Sequence, residues 1–144
     1  YTKRFADDWR GHFSLGLLQL RSGRPVQAAE AFSRAIAIRP NQPLVHYDLG
    51  LALRASGELE AAHKAFSEAV ALEFSMWQAH CQRAVVDHRL RRHDRARQGF
   101  QQTASLNTGC ALASAMAGVD MADGMAQMLL GLPCTADPDL DVTD

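Results

Sequence analysis

An all-α fold is expected, an α-solenoid of stacked helix–turn–helix units, and three observations lead to it. The sequence repeats itself at a spacing of 34 residues, which marks stacked supersecondary units rather than one globular core. Residues 9–42 and 43–76 share 12 identities across their 34 aligned positions. Within each repeat, apolar residues recur at three- and four-residue steps, the period of an amphipathic helix. The composition agrees, with 24 alanines among 144 residues and only 7% aromatics.

The elements follow in chain order. Phe13, Leu15, Leu17, Leu18 and Leu20 give a first helix over 9–21. Ser22–Gly23–Arg24 is the turn, and Pro25 sits where a first helical turn tolerates proline. Ala28, Phe32, Ala35 and Ile36 mark the buried stripe of a second helix, which Pro40 ends. The next repeat predicts helices over 43–55 and 59–72, turned at Ser56–Gly57. In the third, Ser75–x–x–Gln78 reads as a capping box, and helices are expected over 77–89 and 93–106. The smallness of Gly16, Gly50 and Ala84 lets paired helices approach closely, with Phe32, Phe66 and Phe100 filling each crossing.

The pattern small–x11–Ala–x3–Phe–x2–Ala–x4–Pro, read off Gly16, Ala28, Phe32, Ala35 and Pro40, resembles the tetratricopeptide repeat. The resemblance spans 9–110, about 70% of the chain, and implies a right-handed superhelix whose first helices line a concave groove. It divides the chain into a lead-in (1–8), three repeats (9–42, 43–76 and a degenerate 77–110), a capping helix (111–133) and an acidic tail (134–144). The third repeat departs from the pattern, with Arg83 for leucine, Arg91 for the turn glycine and Thr108 for the terminal proline. Leu112, Met116, Val119, Met121, Met125 and Met128 suit the capping helix, whose methionines either fill gaps or offer an adaptable surface for self-association.

Composition narrows the class. No apolar run reaches the roughly 18–20 residues of a membrane span. The net charge of −1 makes no case for nucleic acid. It conceals an asymmetry, since all 15 Lys and Arg lie in 1–97 while 98–144 carries six Asp. The 13 Arg against 2 Lys suggest a GC-rich, bacterial genome. Cys81, Cys110 and Cys134, odd in number and without CxxC spacing, are expected to be free thiols in the reducing cytoplasm. A start at Tyr1 rather than methionine reads as a fragment or a trimmed product, with any targeting segment unreadable.

Chemistry-bearing motifs are sparse. His12, His46 and His80 recur at the 34-residue period, but equivalent positions of adjacent repeats lie too far apart for one ion, and a packing role is expected. HExxH, GxSxG, GxGxxG and P-loop patterns do not occur, so neither catalysis, a metal nor a cofactor is expected. The arginines at 83, 89, 91, 92, 95 and 97 form a basic run without interleaved aromatics, which suits a solvated face, docking of the acidic tail or an acidic protein partner better than nucleic acid.

The resemblance places the binding surface. It points Arg10, Phe13, Leu17 and Leu20 inward from the first repeat, Leu44, Tyr47, Leu51 and Arg54 from the second, and Gln78, Cys81, Val85 and Arg89 from the third, with Asp48, Gln82 and His88 beside them. The family members that grip the C-terminal carboxylate of heat-shock chaperones use Lys, Asn and Arg where Phe13, Leu17, Asp48, Gln78 and Gln82 stand here. That clamp is absent, and an apolar groove remains, suited to a peptide with hydrophobic anchors. The expected function is a non-enzymatic protein-binding module, a scaffold or adaptor in a bacterial assembly. One alternative is a small chaperone, since three repeats plus one helix resemble the type III secretion translocator chaperones. The other is the regulatory arm of a larger enzyme such as a glycosyltransferase.

Overall fold

The computed structural model describes residues 8–107. The chain divides into two units, Tyr1–Phe74 and Ser75–Asp144. Among the described residues every regular element is an α-helix.

The first unit holds α1 (Trp9–Arg21), α2 (Pro25–Ile38), α3 (Pro43–Ala55) and α4 (Leu59–Leu72). The Asp8 side chain caps α1 by accepting from the Arg10 backbone N–H at 3.0 Å, meeting one of the four donors a helix start leaves open. Pro25 and Pro43 open α2 and α3, where the missing N–H costs nothing. The chain folds as two hairpins, α1 with α2 and α3 with α4, and α2 also packs on α3. Ala28, Phe32, Ala35, Val45 and Ala52 form one buried cluster across the joined hairpins. His46 donates from Nε2 to the Pro40 carbonyl at 2.8 Å and pins the loop between them, the packing role expected of it.

Each crossing is built around a glycine and a phenylalanine. Phe32 and Phe66 are wholly buried, and a Cβ added to Gly16 or Gly50 would lie 2.5 or 2.6 Å from the facing ring. Only a missing side chain allows that approach. The helices then end alike. Gly23 and Gly57 adopt φ of 76° and 88°, and two reverse hydrogen bonds close each end. Gly23 N–H donates to Leu20 O and Arg24 N–H to Gln19 O, at 3.2 and 2.9 Å. Gly57 and Glu58 repeat this with Arg54 and Leu53, at 3.0 and 2.9 Å. This is the Schellman closure, whose left-handed residue favours glycine.

The second unit contributes α5 (Trp77–Arg89) and α6 (His93–Leu106), again a hairpin. Both match the lengths of their counterparts in the first unit despite the sequence departures. The capping-box expectation fails. Met76, not Ser75, caps α5, and no side-chain hydrogen bond closes that end. Met76 lies one period after Gln42, the cap of α3, so the repeat register outweighs the local motif.

The expected capping helix and acidic tail lie outside the described residues. No helix among the described residues is long and apolar enough to cross a membrane.

Candidate functional site

In the first unit α1 and α3 run side by side and present equivalent positions one period apart. Phe13 and Tyr47 occupy the same place in their repeats. The Phe13 ring lies 5.8 Å from that of Phe32, and the Tyr47 ring 5.7 Å from that of Phe66. Both pairs are tilted, within the distances at which aromatic contacts are favourable. Each half-buried aromatic is therefore held against the wholly buried ring of its crossing, which fixes its direction before any ligand arrives. Trp9 extends the first cluster, 6.1 Å from Phe13, and the Arg10 guanidinium lies 5.7 Å from the Trp9 ring centre. Trp9 was not singled out from the sequence, although its place one turn before Phe13 was the available signal.

The remaining predicted residues of this unit fall into two groups. Leu17 and Leu20 are half-buried and pack against the core cluster, whereas Leu44 is 51% exposed. Leu51 and Arg54 are half-buried. Leu44, Tyr47, Asp48 and Leu51 share one stripe of α3 by their spacing. Asp48 is only 8% exposed, and desolvation pushes its carboxyl up to about 6 from the usual carboxylate value.

The third repeat differs. Gln78 is half-buried and Arg89 exposed, but Cys81 and Val85 are buried, so neither offers surface to a partner. Cys81 is also disulfide-bonded. That corrects the free-thiol reading and removes the ground on which a reducing cytoplasm rested. Spacing alone cannot show which thiols a fold brings together. His88 is buried as well, its ring lying 5.2 Å from that of His93. Burial, then the charges of His93, Arg89 and Arg91, lower its pKa.

Among the described residues, two cavities are lined by neither Phe13 nor Tyr47. A cleft of about 380 Å³ opens among α2, α3 and α4, lined by Ile36, His46, Leu49, Leu53, Lys64 and Glu68 among others. A polar cavity of about 500 Å³ at the α5–α6 turn is lined by Arg91, Arg92, His93, Asp94 and Arg95. Among the described residues no group of three or more His, Cys, Asp or Glu could hold a metal ion.

Helical hairpins with glycine–phenylalanine crossings and aromatic first helices define a helical-repeat protein. Residues 19–81 match the tetratricopeptide repeat profile. No curated protein sequence matches the chain. Solved structures similar in fold include MamA, at 22% identity and a TM-score of 0.78, over 87% of this chain and 74% of that one. The second tetratricopeptide domain of human RPAP3, solved with an HSP70 peptide, aligns at 21% identity over 78% and 92% of the two chains, with a TM-score of 0.73. The Yersinia enterocolitica type III secretion chaperone SycD, solved with a peptide of the translocator YopD, aligns at 16% identity over 75% and 88%, with a TM-score of 0.71.

Proposed function

We propose that this protein is a non-enzymatic interaction module that holds an apolar peptide segment of a partner protein against the α1/α3 face of its first unit. The supporting observation is the repeated aromatic pair. Phe13 and Tyr47 are each braced by the buried ring of their own helix crossing, so they offer rigid apolar area with little rotamer freedom to lose on binding. Leu44 adds an exposed anchor beside them. Two structurally similar proteins were solved with peptides of their partners, which supports the same use of the fold here.

Within that reading, a scaffold or adaptor role in a bacterial assembly is proposed. A second reading, a small chaperone that shields an apolar segment of its cargo, is supported by the likeness to SycD and by an α1/α3 face that carries Phe13 and Leu17 where carboxylate-gripping relatives carry Lys and Asn.

The test is capture of partners from the native host's lysate, with a Tyr47→Ala/Leu51→Asp variant as control and circular dichroism to show that helicity is kept. Loss of a partner in the folded variant is the expected result. One dominant secreted or membrane-active protein favours the chaperone, and several components of one assembly favour the scaffold. An unchanged set of captured proteins would exclude the α1/α3 face.

A further inference from the structure

We infer that Asp48 is a recognition residue of the α1/α3 face, selecting a bound segment that presents an arginine or lysine side chain to the stripe formed by Leu44, Tyr47 and Leu51. The inference rests on the reading of that face as a peptide site and adds the chemistry of the peptide.

Asp48 is the acidic residue of an otherwise apolar stripe, and it is more than nine-tenths buried. Among the described residues no hydrogen bond or ion pair reaches its carboxylate. Desolvation by burial is the cause of its raised pKa. Its oxygens nevertheless retain contact with solvent, since they are not among the sealed polar atoms that lack a hydrogen bond. A group in this state is costly unless a partner arrives, because burial has weakened its hydration and nothing in the chain replaces the lost water.

The repeat shows that the fold does not require an acid at this place. One period before and after Asp48 stand Ser14 and Gln82, both neutral, and both repeats form the same hairpin. The position is exposed as Ser14, half-buried as Gln82 and buried as Asp48, so packing of the repeat does not call for an acid there. A guanidinium or ammonium group lying over Tyr47 would meet the carboxylate at short range and the aromatic face beside it, two favourable contacts from one side chain. A segment ending in a carboxylate at the same point would instead bring two like charges together in a poorly hydrated place.

The experiment uses the full chain and a panel of short synthetic peptides blocked at both ends. Each peptide carries two leucine anchors at varied spacing, and one intervening position holds arginine, lysine, citrulline, leucine or glutamate. Citrulline keeps the shape of arginine and removes the charge. Fluorescence anisotropy is expected to show the arginine and lysine peptides binding at least about tenfold more tightly than their citrulline or glutamate counterparts, the size of one charge-assisted contact. In Asp48→Asn that ratio should fall to about one. Peptides that bind without charge preference, or a ratio preserved in Asp48→Asn, would overturn the inference and leave the face as a peptide site. Failure of the whole panel to bind would remove both.

Discussion

The first two helix crossings and the third solve one packing problem in opposite ways. At α1/α2 and α3/α4 the first helix gives up its side chain, as Gly16 or Gly50, and the ring of Phe32 or Phe66 moves into the space. The second helix there carries Ala31 or Ala65 at the neighbouring position. At α5/α6 the assignment is reversed. Ala84 stands where the glycines stood, Gly99 replaces the alanine, and a Cβ on Gly99 would lie 2.8 Å from that of Ala84. The same close approach therefore survives a change in which helix provides the room. What is fixed is the absence of one methyl group at each crossing, not its owner.

The largest effect should come from the ring that all three crossings share. Phe66 is wholly buried, and Phe66→Ala should destabilise the fold by about 3–5 kcal/mol, read by chemical denaturation. A loss under about 1 kcal/mol would show that the ring does not carry the crossing. The exchange between crossings can then be broken directly. Gly99→Ala should cost about 1–3 kcal/mol through overpacking. Adding Ala84→Gly should recover most of that loss, because the double variant restores the arrangement of the first two repeats. Additive losses in the two single variants would separate the third crossing from the others altogether.

Asp48 gives a smaller and pH-dependent difference between repeats. Its folded pKa of about 6 lies above the ordinary carboxylate value of 3.8, so the folded state disfavours the ionised form. The penalty is absent below about pH 4 and fully present above about pH 6, and stability should fall as pH rises between them. Asp48→Asn should therefore be more stable than the parent at pH 7 by about 1–2 kcal/mol once solvent screening is allowed for. The two should converge at pH 4. Equivalent changes at Ser14 or Gln82 should show no such pH dependence.

The sequence carried the helices because period and punctuation coincide: prolines open α2 and α3, glycines close α1 and α3, and apolar steps fill the intervals. It carried less of the site. Phe13 and Tyr47 were found because repeat position alone places them, but their bracing by Phe32 and Phe66 depends on ring geometry. The closed state of Cys81 and Val85 was not legible, since burial at one position of a repeat depends on what covers that particular copy. Ser75–x–x–Gln78 misled for a related reason. A capping motif states a local preference of about 1 kcal/mol, and the register set by repeated packing placed the helix start one residue later. Arg91 was legible as a departure from glycine but not as one the backbone would accommodate unchanged.

Arg91 offers the smallest and most discriminating test. It adopts φ of 63°, the left-handed conformation held by Gly23 and Gly57 in the other turns. Its N–H donates to His88 O at 3.0 Å, and that of Arg92 to Asp87 O at 2.8 Å, so the Schellman closure is complete. A side chain at this position costs about 1 kcal/mol that glycine avoids. Arg91→Gly should therefore stabilise the second unit by about 0.5–1 kcal/mol, measured by thermal or chemical denaturation, while Gly57→Arg should destabilise the first by a similar amount. The same substitution removes one of the charges that lower the His88 pKa, so the His88 resonance should titrate at a higher pH in Arg91→Gly. Stabilisation with an unmoved histidine would mean that the Arg91 side chain points away from His88. A raised histidine pKa without stabilisation would mean that contacts of the guanidinium already offset the backbone strain. The two readings separate charge from conformation at the one turn where the repeats disagree.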